Sequence, residues 1–230
     1  MKKHILPGVP PVEIQLRKSP RARRLSLRIS RLDGRVTLTM PTGFAVSEAV
    51  RFAIEKEAWL RSTLAARPAD CDVGFGTSVA YLGKPVEIVP GSGRVATYKD
   101  GVLQVPGGAE TVGRKVQAFL KARAKPQLHR ATEHYAQKLG RSFSRITLRD
   151  TRSRWGSCSS AGNLNYSWRL IMAPPDVLNY VAAHEVAHLA EMNHSARFWS
   201  VVRDIHGPYD AQRGWLRHKG ENLHRYRFGD

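Results

Sequence analysis

Long uninterrupted apolar runs are missing from this chain. No window approaches the roughly 18 residues a membrane-spanning helix needs. The opening stretch, HILPGVPPVEIQL, is broken by Pro7, Pro10 and Pro11 and holds no apolar core of a secretory leader. Cysteine is scarce: Cys71 and Cys158 are the only two. A small secreted domain stapled by disulfides carries more, so the expected setting is reducing and cytoplasmic. Acidic residues are also under-represented, 19 against 37 Lys and Arg, for a formal net charge of +18. No low-complexity tract or internal repeat is evident in the sequence.

Enough apolar sequence remains to fold. Hydrophobic residues make up 42% of 230 positions, which excludes a long disordered chain. The length fits one large domain or two small ones. The positive charge is concentrated at the front, where residues 1–35 hold ten Lys and Arg and two acids. The densest run is RKSPRARR at 17–24. Such a field attracts polyanions, because Lys and Arg displace counterions from phosphates. The same run also suits a solvated hairpin edge, where charge blocks edge-to-edge pairing.

Alternating segments at 24–31 and 35–40, separated by Asp33-Gly34, predict a hairpin. Residues 47–66 carry apolar positions at helical spacing, with Ser47 as N-cap. Four short strand patterns, VAYL, VEIV, VATY and VLQV, separated by Gly83-Lys84, Pro90-Gly91 and Asp100-Gly101, fill 77–106 and read as hairpins. Pro106-Gly107-Gly108 then breaks the chain. A helix is expected over 111–139, kinked or split at Pro126. The expected domains are therefore a β-rich part with one helix, 1–108, and a mostly helical part, 109–230. In the second, strands at 145–150 and 164–172 flank the loop RSRWGSCSSAGN. A helix follows Pro174-Pro175-Asp176 and is expected to run to about Asn193. Ser195 caps the next helix, closed by Gly207.

That first helix carries His184-Glu185-Val186-Ala187-His188. Residues four apart share a helix face, so both imidazoles can aim at one metal ion. Zinc favours nitrogen and sulfur ligands, and a catalytic zinc keeps one position for water. Glu185, beside the first ligand, is placed to act as general base. The third ligand must come from elsewhere. His194, ten residues after His184, is the leading candidate, with Glu221 and His206 as weaker ones. Arg152 and Arg154 are candidates to hold a substrate carbonyl or carboxylate, while Tyr209, Tyr180 and Arg154 are candidate oxyanion donors. Trp155 and Gly156 read as core packing and a turn, and Cys158 as a packed small residue.

The segments RWGSCSSAGNLNYSWRLIMAP (154–174) and LNYVAAHEVAHLAEMNHSARFW (178–199), followed by Trp215-Leu216, resemble the YgjP-like metallopeptidases, relatives of the SprT and WLM zinc proteases. The resemblance is strong over 140–218 and looser over 17–105. It implies an α+β chain in which a β-rich N-terminal part precedes a minimal zincin-like helical domain with a small antiparallel sheet. It also implies zinc-dependent peptide hydrolysis, with His184, His188 and His194 as ligands and Glu185 as catalytic glutamate. Metzincins share this histidine spacing, but Glu191 stands where they have glycine and no Met-turn follows. DNA-associated proteins are a candidate substrate class by the SprT likeness. The competing readings are a nucleic-acid-binding module with a structural or vestigial zinc site, and a scaffold with a latent site.

Overall fold

The computed structural model describes residues 2–30, 34–66, 69–151 and 153–229. Asp33 of the expected hairpin turn and the candidate Arg152 lie outside these. The chain divides into two compact units, Met1–Ala69 and Asp70–Asp230.

The first unit begins with strands β1 (Lys2–Leu6), β2 (Val12–Lys18), β3 (Ser26–Ile29) and β4 (Val36–Met40). They form one sheet in the order β1-β2-β4-β3, with β2 and β4 parallel and the outer pairs antiparallel. Every second residue faces the core, because strand side chains alternate. Val12, Ile14 and Leu16 of β2 and Val36, Leu38 and Met40 of β4 are buried. They form one cluster with Ala49, Ala53 and Leu60 of the helices α1 (Val46–Glu55) and α2 (Glu57–Ala65). The helix expected over 47–66 is thus two helices that break at Lys56. The N-cap is Ala45, without a side-chain bond, and not Ser47.

In the second unit, β5 (Cys71–Asp72) is followed by β6 (Ser78–Tyr81), β7 (Lys84–Pro90), β8 (Thr97–Lys99) and β9 (Val102–Val105). The order β6-β7-β9-β8 repeats the first sheet's pairing senses. Two of the expected hairpins form, at Leu82-Gly83 and Asp100-Gly101. Both residues of each turn have positive φ, 51° and 81°, which is the backbone of a tight two-residue hairpin loop. The third does not form: β7 pairs with β9 in parallel, across the intervening β8.

The units do not divide near residue 108. The buried side of the β6–β9 sheet (Val79, Val86, Ile88, Leu103, Val105) shares a core with Val112, Val116, Phe119 and Leu120 of the next helix, α3 (Ala109–Leu139). Apolar burial therefore ties these strands to the C-terminal part. Helix α3 runs unbroken for 31 residues through Pro126. Packing along its whole length offsets the lost backbone bond.

Strands β10 (Arg145–Arg149), β11 (Gly156–Cys158) and β12 (Asn163–Ser167) form a sheet in the order β10-β12-β11. It is mixed rather than antiparallel, since β10 pairs with β12 in parallel. The strand expected to reach 172 stops at Ser167 and becomes a 3-10 turn, Trp168–Met172, all of it buried. Arg169 in this turn is itself buried, and its guanidinium donates to both Asp150 oxygens (2.7 and 3.2 Å) and to the Leu223 carbonyl (2.9 Å). It ties the sheet to the C-terminal segment. Then come α4 (Pro175–Ala187), α5 (Ala196–His206), α6 (Asp210–Lys219) and β13 (Tyr226–Arg227), which pairs with β5. Among the described residues no helix is long and apolar enough to cross a membrane.

Candidate metal centre

Helix α4 starts with Pro175 in its first turn, where the missing N–H costs nothing. Eight of its apolar residues are buried, Val177 and Val186 among them, so it is a central helix of its unit. It ends sooner than its pattern suggests. Its last residue is Ala187, with His188 as C-cap still in helical conformation. The chain then turns: Leu189 N–H donates to the Val186 carbonyl (2.9 Å) and Glu191 N–H to that of Ala187 (3.0 Å). This early turn, and not a helix continuing to Asn193, brings His194 back. The Asn193 side chain accepts from Ser195 N–H (3.0 Å), and Ser195 caps α5 by accepting from Phe198 N–H.

The three histidines converge. Their candidate ligand atoms all lie within 4.8 Å of one another. The ring centroids are 5.2 Å apart for His184–His188, 5.1 Å for His184–His194 and 4.8 Å for His188–His194. The Nε2 atoms of His184 and His194 are 3.1 Å apart. Two ring nitrogens at that distance must share a proton or share a cation. Nδ1 of His188 is 3.0 Å from the Glu191 carbonyl, which holds a proton on that nitrogen and leaves Nε2 free to ligate. Burial and the neighbouring histidines lower the His184 pKa to about 3, and burial lowers that of His188. Both rings are thus held neutral, the state that binds metal. Three imidazoles at one point fit a divalent ion of the zinc class. Glu221 and His206 are not in this cluster.

Phe198, fully buried, is the common support: its ring lies 4.5, 4.9 and 4.8 Å from those of His188, His184 and His194. No local pattern singles it out among the apolar residues of α5.

Glu185 is 5% exposed. Burial raises its carboxyl pKa to about 8, with the Arg154 guanidinium pulling the other way. No ion-pair partner for it exists among the described residues. The carboxylate packs on Gly156 of β11. A Cβ at that position would lie 2.5 Å from both Cγ and Oε1 of Glu185. Gly156 is therefore needed for close approach, not for a turn. Its backbone conformation is ordinary, so no turn signal could reveal this role. Cys158, on the same strand, has its thiol pushed up to about 11 by burial and by Glu185.

These groups line an open cleft of about 430 Å3. Arg154 and Tyr180 are on its walls. Tyr209 is not: it is buried, stacked between Tyr180 and Trp199 at 5.8 and 5.3 Å. Arg213 of α6 lines the cleft instead, its guanidinium 4.7 Å over the Trp199 ring. One basic residue in a basic exposed helix carries no distinguishing sequence signal. Trp155 is half-buried and packs beside Gly220 and His224.

The sequence profile described as "YgjP-like, metallopeptidase domain" matches residues 23–219. No curated protein matches the chain. The crystal structure of the metallopeptidase zymogen of Pyrococcus abyssi abylysin is similar over 40% of this chain and 95% of its own, at 20% identity and a TM-score of 0.36. With the match spanning most of its length, this chain belongs to the YgjP-like metallopeptidase family.

Proposed function

We propose that the chain is a zinc-dependent endopeptidase whose site is the cleft built on α4, β11 and the turn to His194. The observation that carries this is the convergence of three imidazoles beside a buried, unpaired carboxylate in an open cleft. His184, His188 and His194 would hold the ion. A zinc ion bound there supplies Lewis acidity toward the attacking water and the scissile carbonyl.

The remaining work falls to side chains of this protein. Glu185, with its pKa raised by burial, takes a proton from water in the cleft and returns it to the leaving amine. Gly156 leaves the room that sets its position. Arg154 and Arg213, the two cations on the cleft walls, hold carbonyl or carboxylate groups of the substrate. Strand β11 is an edge strand along the same cleft, so an extended peptide can add to it by backbone hydrogen bonds. An edge strand facing the motif helix, with a third histidine after the turn, supports a zincin-like reading of this unit.

The alternative of a structural zinc is disfavoured by the donor count. Closed structural sites use four protein ligands, and the described residues supply three.

The test is cleavage of an unfolded protein such as casein by wild type and Glu185→Gln, with metal content measured on both. The variant is expected to keep its zinc and lose at least a hundredfold in rate. Zinc-loaded wild type that cleaves nothing, or a variant that cleaves normally, would overturn the reading.

A further inference from the structure

The first unit carries a cluster of cations without ion-pair partners among the described residues. Residues 1–69 hold fourteen Lys and Arg against five acids, so under a third of the chain carries half of its net charge. Within 14–30 there are six cations (Arg17, Lys18, Arg21, Arg23, Arg24, Arg28) and no acid. All six are exposed. None of them has an ion-pair partner among the described residues.

Strand register places Arg17 and Arg28 on one face. With the even-numbered residues of β2 and β4 buried, the other face of the sheet is open. One rank across it is Lys3–Gln15–Thr37–Arg28, and the next is Arg17–Thr39–Ser26. Arg21, Arg23 and Arg24 sit in the segment joining β2 to β3, at the same end, where Lys18 closes β2 opposite the buried Met40. Arginine forks flanked by Thr, Ser and Gln make a donor-rich surface suited to phosphate oxygens.

The molecule holds its own control. The sheet of the second unit has the same order and pairing senses. Its open face carries Glu87, Gln104, Thr97, Ser78 and Lys99, one acid against one base. The fold therefore does not require a basic open face. Unpaired like charges repel at a cost to the folded unit, and a polyanion would offset it. The exposed apolar pair, Ile5 and Val9, lies toward the opposite end of β2. Ile5 is opposite Glu13, about 13 Å from Arg17 along the strand, so the basic patch itself is polar rather than amphipathic.

We infer that the open face of the β1–β4 sheet, with the 17–24 segment, binds the phosphate backbone of nucleic acid without regard to sequence. Binding is additional to the cleft's chemistry and leaves it unchanged.

The test is fluorescence anisotropy of the full chain with labelled single-stranded and duplex oligonucleotides of one sequence, between 50 and 200 mM salt. If all six cations neutralise phosphates, the slope of log Kd against log salt is about 4 on single strands and about 5 on duplex. Changing Arg17, Arg21, Arg24 and Arg28 together to Gln should weaken binding at least tenfold and lower the slope by about 3. The same four changed to Lys should retain most of it, which separates lost charge from lost fold. Lys84→Gln with Lys99→Gln, on the second sheet, should change nothing. Casein cleavage should be equal in all of these proteins, so failure here is distinct from failure of the peptidase reading. Absence of salt-dependent binding, equal binding by the Gln variant, or tighter binding to phosphatidylserine vesicles or polyglutamate than to oligonucleotide would overturn the inference.

Discussion

Two four-stranded sheets in this protein share strand order, pairing sense and the habit of burying one face, yet they serve different ends. In the first unit two short helices cover the buried face, and the open face is basic. In the second, the 31-residue helix α3 covers the sheet and continues well beyond it to pack against α4. Burial enforces one shared feature, the alternate apolar residues of each sheet. The differing features are those that burial leaves free. One sheet presents a basic face, and the other underlies the long helix on which α4 packs.

The largest effect that would sharpen this contrast comes from the metal ligands. His188→Ala should remove the zinc and bring casein cleavage below detection, while oligonucleotide binding by the first sheet stays at the wild-type level. Elemental analysis and anisotropy on one preparation check both halves. Loss of oligonucleotide binding in that variant would mean that the two regions do not act separately.

A smaller effect is expected at Gly156. Its substitution by Ala puts a Cβ where Glu185 lies, and a general base displaced by about 1 Å costs on the order of a hundredfold in rate. Zinc content should be unchanged, because the three imidazoles rest on Phe198 and not on β11. A Gly156→Ala enzyme of normal kcat would show that the close approach has no role in placing the carboxylate.

The smallest effect concerns Cys158. In chelator-treated protein its alkylation by iodoacetamide should rise with pH well beyond 9, with its midpoint near 11, because burial and the Glu185 carboxylate disfavour the thiolate. Glu185→Gln removes the repelling charge and should shift that profile to lower pH. A profile unmoved by the substitution would separate the thiol from the carboxylate and break the account of β11 as the wall of the site.

How much of this was legible beforehand follows from how local each signal is. His184 and His188 are four apart on one helix, and Ser195 is a cap beside its own helix, so both were readable. So was the Asp100-Gly101 hairpin. The parallel pairings β2–β4, β7–β9 and β10–β12 were not, because they join segments whose neighbours in sequence lie elsewhere in the sheet. The run after Ser167 is buried on every side, and such a run has no period by which a strand and a 3-10 turn can be told apart. The early end of α4 also escaped, since apolar residues continue past it to Leu189 and Ala190. Gly156 and Arg213 act through what they touch across the cleft, which no local pattern encodes.

The central claim is that three imidazoles share one zinc ion, and X-ray absorption at the zinc edge of the purified protein tests it most directly. The account predicts a first shell of nitrogen and oxygen only, near 2.0–2.1 Å, with the outer scattering of about three imidazole rings. Sulfur at about 2.3 Å, or fewer than three rings, would contradict it.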